Sequence, residues 1–565
     1  MKYILFLLVM GTLSSLPSGA QLMEKKEKFT EADTLRGSLN PRRTWWNVLR
    51  YDIVVQPDLA RKTIIGNNRI TFSIEKPSAE MQIDLQQPMQ IDSIVWNYEK
   101  GSVLPFTRSG NIAIVSFPSF PKNLKESSIT LFFSGKPVIA VRPPWDGGWI
   151  WARDEMGNPW ITVACQGLGA SVWYPCKDHQ SDEPDQGATL TMVVPQNLTG
   201  IANGRLIREQ VMQPGLKSYT WEVKNPINNY NLIPYIGKYS LFTDTLVGEK
   251  GKLDLSYWVL EDHVEQAKKQ FVQVKSMLRA FEYWMGPYPF YEDGYKLVES
   301  PHLGMEHQSA IAYGNKFMNG YLGFDLSQSG WGTKWDYIIV HESGHEWFAN
   351  NITSNDIADM WIHEGYTTYT ETLYTEYLFG KQAGNEYNYG IRQNIENKIP
   401  IIGYYGVNKE GSGDMYPKTA NMIHSIRHAM NNDSLFRAYL RELNKVFYHA
   451  QVDYADIERV TTRFTGWSVQ NIFRQYLTTT QIPQFTYALS ADGLTLYYRW
   501  ENCLEGFDLP VWVNTPTESV QLLAKAGRWQ QITFKDKLNI PLLEEIEKMY
   551  YCTTRMQPAS ADMKR

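Results

Sequence analysis

The sequence predicts a multidomain α+β protein with an N-terminal antiparallel β-domain, a mixed α/β central domain and a small C-terminal β-sandwich domain. Three observations carry that prediction. Apolar residues alternate at period two up to about residue 245, recur at steps of three and four from there to residue 482, and return to period two after Pro483. The length, 565 residues, suits about three to four separate cores at ~150 residues each. The composition, 43% hydrophobic and 20% charged, is that of a folded chain and excludes disorder and collagen-like repetition. With 55 Lys and Arg against 60 Asp and Glu there is no cationic excess to neutralise phosphates, so nucleic acid and anionic membranes are poor partners.

The chain opens with Lys2, an apolar run over residues 4–16, and the small residues Ser18 and Ala20. That is the layout of a secretory leader in residues 1–20, cleaved after Ala20, and it implies a secreted or periplasmic protein. Gln21 in place of Cys argues against a lipid anchor, and no later segment is apolar over the ~20 residues a spanning helix needs, so no membrane span is expected once the leader is removed. Residues 21–43, with Glu24-Lys25-Lys26-Glu27-Lys28, read as a mobile lead-in.

Strands are expected over 44–245. Ile70, Phe72 and Ile74 alternate with Thr71 and Ser73, while Leu190, Met192 and Val194 are separated by Thr191 and Val193. The central region, 246–482, starts with an amphipathic helix carried by Val264, Ala267, Phe271, Val274, Leu278 and Phe281, with Asp262 and Glu265 as a cap pair and Gly286 as its stop. Further helices are expected near 333–350, 361–379, 417–430, 434–449 and 468–478. In 483–556 two strands flank the turn dipeptide Asp492-Gly493, and 557–565 is a tail. The four cysteines fall as Cys165 with Cys176 and Cys503 with Cys552; export permits disulfides, and the spacing leaves both pairing and its absence open.

The text with chemical content is His341-Glu342-Ser343-Gly344-His345 in a helical context. Histidines four apart lie on one helix face, where their imidazoles can converge on one zinc ion with Glu342 beside it. Eighteen residues after His345 comes Glu364, at the start of the next helical segment. A His/His/Glu set is typical of catalytic zinc and leaves a coordination position for water. Glu371 is a candidate acceptor for a ligand ring nitrogen, and His302, His307 and His363 read as satisfied polar residues rather than ligands. For Gly344, which costs about 1 kcal/mol against Ala in a helix, the sequence offers no reason.

His341-Glu342-x-x-His345-Glu346-Trp347-Phe348-Ala349-Asn350 followed by Trp361-x-x-Glu364-Gly365 resembles the aminopeptidase N family of gluzincin zinc peptidases. Gly304-Met305-Glu306-His307 is similar to the family's G-x-M-E-N exopeptidase motif, Tyr416-Pro417-Lys418 to its Y-x-K segment, and Ala164-Cys165-Gln166 to its glutamine segment. With Arg50-Tyr51-Asp52-Ile53 the likeness covers about 45–550.

The resemblance implies a thermolysin-like central domain, one zinc on His341, His345 and Glu364, Glu342 as general base and Tyr416 as oxyanion donor. It implies substrate binding by Gly304, Met305, Glu306 and Gln166, with Glu306 taking the free α-ammonium of a peptide. The expected activity is that of an exported zinc aminopeptidase. An epoxide substrate for the same zinc site and a silent peptide-binding relative are the alternatives. Two departures stand out: His307 replaces the motif's Asn, and this sequence stops where larger members continue into a helical domain. A short form with an open cleft, or one covered by a second subunit in a homo-oligomer, is expected.

Overall fold

The computed structural model describes residues 28–98, 101–121, 123–560 and 563. The expected leader lies outside the described residues. The lead-in is docked from residue 30 on, rather than mobile. Thr30 forms a capping box with Asp33 at the start of helix Glu31–Gly37, Arg36 donates to the carbonyl of Leu168, and Arg43 is fully buried against Asp84 at 2.5 Å. Reading charge runs alone missed this, because each of these arginines finds its partner more than forty residues away.

The N-terminal domain is built on an eight-stranded sheet in which Trp46–Asp58 is central. Its buried Tyr51, Ile53 and Val55 alternate with half-exposed residues, and so do Ile70, Phe72 and Ile74 of Thr63–Ile74 and Leu190, Met192 and Val194 of Ala188–Pro195. The sheet is not wholly antiparallel. Trp46–Asp58 pairs antiparallel with Thr63–Ile74 but parallel with Ala188–Pro195, since the chain between them leaves to form a three-stranded and part of a four-stranded sheet before returning.

In the central domain a five-stranded sheet runs in the order Tyr239–Gly248, Gly251–Leu260, Tyr295–Glu299, Ile311–Tyr313, Gly304–Met305, so that Gly304–Met305 is an edge strand. The first amphipathic helix is split into Val264–Gln270 and Gln273–Met285. The break falls where Phe271 turns inward among Tyr257, Tyr313 and Phe317 while Val272 faces solvent. Asp262 lies in a 3-10 turn and does not cap. Helices Trp361–Phe379 and Pro417–Met430 stand where the periodicity placed them, whereas Lys381–Gly390 and Tyr454–Thr465 were not anticipated.

The C-terminal strands form a four-stranded sheet and a two-stranded hairpin, accompanied by a helix, Ile540–Met549, that a strand-only reading misses. Their core is continuous with that of the central domain. Trp512 Nε1 donates to Ala429 O at 2.9 Å and Tyr551 N to Ser425 Oγ at 2.8 Å, so this unit buttresses helix Pro417–Met430. All four cysteines are free thiols. No helix among the described residues is long and apolar enough to cross a membrane.

Candidate active site

The motif helix is Tyr337–Gly344, shorter than expected. Asp336 caps it, its Oδ1 accepting from the N–H groups of Ile338 and Ile339 at 3.1 and 3.3 Å. Gly344 has its reason here. A Cβ at that position would lie 2.6 Å from Thr370 Oγ1, so the glycine lets the motif helix close onto Trp361–Phe379, which carries Glu364 in its first turn. Helix propensity favours Ala by about 1 kcal/mol, but Thr370 is fully buried and has no room to give, and overpacking costs about 1–3 kcal/mol. Gly344→Ala should therefore lower the denaturant midpoint; a raised midpoint would show that the two helices have space between them.

That approach brings three donors together. His341 Nε2 and His345 Nε2 lie 3.6 and 3.3 Å from Glu364 Oε2, and the donor atoms of all three residues fall within 4.8 Å of one another. Glu364 is 2% exposed and its Oε2 accepts no hydrogen bond. Burial alone would raise its carboxyl, yet the two imidazoles hold it well below the usual carboxylate range. Both remaining ring nitrogens are occupied: His341 Nδ1 faces Glu371 Oε1 at 2.7 Å, and His345 Nδ1 donates to Phe348 O at 3.0 Å. Glu371 is itself held by the Tyr387 hydroxyl at 2.6 Å. With both Nδ1 atoms bonded elsewhere, both Nε2 atoms face Glu364, an oriented His/His/Glu set that fits a single zinc ion in place of the Nε2 protons.

Glu342 and Glu306 flank this set, each with a carboxylate oxygen in a second cluster that shares His345 within 4.8 Å. Burial pushes Glu342 up to about 7 against the pull of His341 and His345. Glu306 follows the edge strand, with its Oε1 accepting from Gln166 Nε2 at 2.5 Å and from the Tyr230 hydroxyl at 2.9 Å. Its backbone carbonyl accepts from Asn350 Nδ2 at 2.8 Å, and no side chain of the described residues donates to its Oε2. Gly304 brings backbone against the base: a Cβ there would sit 2.7 Å from Glu342 Oε1. Met305 is buried in the apolar cluster of the N-terminal domain.

Tyr416 immediately precedes helix Pro417–Met430, its ring centroid 6.0 Å from that of His341. Burial, with Glu364 nearby, holds its hydroxyl protonated, its pKa well above the ordinary value. His307 Nδ1 pairs with the Tyr235 hydroxyl at 2.5 Å, His363 Nε2 accepts from Ser354 N at 2.8 Å, and neither ring nitrogen of His302 makes a hydrogen bond of good geometry. The last departs from the expectation of a satisfied polar residue. None of the three joins a ligand cluster among the described residues.

Residues 271–476 match the peptidase family M1 domain. Aminopeptidase M1-D of Oryza sativa subsp. japonica is 23% identical to it over 336 residues, covering 58% of this chain and 37% of that protein. Leukotriene A-4 hydrolase of Xenopus laevis is 22% identical over 349 residues, 56% of this chain and 54% of its own length. The chain thus spans about a third to a half of these curated relatives. An M1 zinc metallopeptidase from Deinococcus radiodurans superposes with a TM-score of 0.63 at 20% identity, over 77% of this chain and 95% of that one, a likeness of fold.

Within the matched stretch, Glu371 and Tyr387 support the outer side of the candidate metal ligand His341. Glu371→Ala should weaken zinc about 10- to 100-fold, measured by competition with a chelator of known affinity; unchanged affinity would show that His341 needs no orienting partner. Tyr230 and Asn350 were not anticipated. Asn350 stands inside the motif text, whereas Tyr230, one of 34 tyrosines, has no sequence signal and reaches Glu306 only through the meeting of two domains.

Proposed function

We propose that this chain is an exported zinc aminopeptidase that removes N-terminal residues from peptides. The observation that carries the reading is the Glu306 carboxylate, buried at the end of an edge strand, clustered with Glu342 and His345, with one oxygen held by Gln166 and Tyr230. The other oxygen is the anchor for a free α-ammonium, which sets the cut one residue away.

His341, His345 and Glu364 would hold the zinc ion, which would supply Lewis acidity toward a carbonyl and lower the pKa of water toward ~7. Glu342 takes the proton of the attacking water and delivers it to the leaving nitrogen. The Tyr416 hydroxyl donates to the oxyanion that develops at the carbonyl carbon. Gly304 and Met305 present the backbone of a free sheet edge, to which an extended peptide adds as a strand. The Deinococcus radiodurans metallopeptidase has been crystallised with a Tyr-Ser-Ala substrate, which supports a peptide in this fold. The likeness to leukotriene A-4 hydrolase favours an epoxide as the second reading, and the residues at positions 2–20 support export.

Apoprotein titrated with zinc should gain aminoacyl-anilide turnover in proportion to bound metal and saturate at one equivalent. Activity that persists without metal, or that needs a second equivalent, would contradict the reading.

A further inference from the structure

With its amine at Glu306 and its first peptide bond beside Glu342, a substrate still has to place its remaining residues. The edge strand sets their direction. After Glu306 the chain continues into His307, Gln308 and Ser309, all fully buried, so an anchored peptide runs the other way, past Gly304 toward Leu303 and His302. At roughly 3.3 Å per residue, its third residue comes level with Leu303 and His302.

At that end lies a cavity of about 600 Å³, with His302 and Leu303 on one wall and the loop residues Lys316, Phe317 and Leu322 on another. His302 is 4% exposed, the Gly304 backbone is a polar group close to its ring, and neither ring nitrogen makes a hydrogen bond of good geometry among the described residues. Buried polar groups are bonded as a rule, so this side chain marks a place for a ligand. Burial lowers its pKa to about 4 and keeps the ring neutral, giving one donor and one acceptor, the complement of a peptide group. The opposite wall is held under strain: Lys316, Phe317 and Leu322 have φ of 53°, 56° and 49°, a conformation that non-glycine residues adopt at a cost and that gathers at ligand sites. Arg153 and Lys316 face Asp154 and Glu155 around this cavity, and Glu299 is paired with His263 at 2.6 Å.

We propose that this cavity is a downstream subsite in which His302 hydrogen-bonds the backbone of the third substrate residue. The inference rests on the aminopeptidase reading. It is tested by comparing an aminoacyl-anilide, which stops at the first residue, with tetra-alanine, in the parent protein, in His302→Leu and in Lys316→Trp, which narrows the cavity from an exposed rim position. One lost hydrogen bond should lower kcat/KM for tetra-alanine about five- to tenfold, with anilide turnover unchanged within about twofold, which also shows the variants to be folded. Equal effects on both substrates, or none on tetra-alanine, would overturn the subsite. Absence of anilide turnover in the parent protein would instead overturn the aminopeptidase reading and the subsite with it.

Discussion

Replacing Glu342 by Gln should leave one zinc bound and lower kcat by about two to four orders of magnitude. The side chain is not one of the three converging donors, so its loss removes a proton carrier and no ligand. The amide matches the carboxylate in volume and can still sit against Gly304, where a Cβ would come within 2.7 Å of the base. Zinc content should therefore match that of the parent protein. If the variant keeps zinc and turns over normally, Glu342 does not carry the proton; if it loses zinc, Glu342 has a ligand's role.

Glu306→Gln should lower kcat/KM on free-amine substrates about a hundredfold or more, since a buried charge pair with the substrate ammonium is exchanged for a neutral contact. The amide oxygen can still accept from Gln166 and Tyr230, so the pocket should keep its shape. Slow turnover of N-acetylated substrates, which bring no ammonium, should not fall further. A similar loss on blocked and free substrates would make Glu306 a structural residue.

What the sequence made legible was periodic or motif-bound. Helix Trp361–Phe379 could be bounded because its apolar pattern ends at Gly380, and Pro417–Met430 because proline suits a first helical position. The zinc donors and Glu342 were legible because helical spacing alone puts His341 and His345 on one face. What stayed hidden depends on contacts between distant segments. Gly344 makes sense only against Thr370, and Tyr230 only against Glu306, 76 residues away. The docking of residues 30–44 depends on Asp84 and Leu168, and the parallel pairing of Ala188–Pro195 on where a long connection returns. The ring nitrogens of His302, without a hydrogen bond of good geometry, are of the same kind, since no local pattern separates them from those of a bonded histidine.

If a free amino terminus held by Glu306 selects the bond that is cut, blocking that terminus should abolish the selection. The most direct test is the parent protein's kcat/KM on a set of aminoacyl-anilides and on the same compounds N-acetylated. Cleavage of the free-amine series, with the blocked series slower by at least about a hundredfold, is the expected result; equal cleavage of both would contradict the aminopeptidase account.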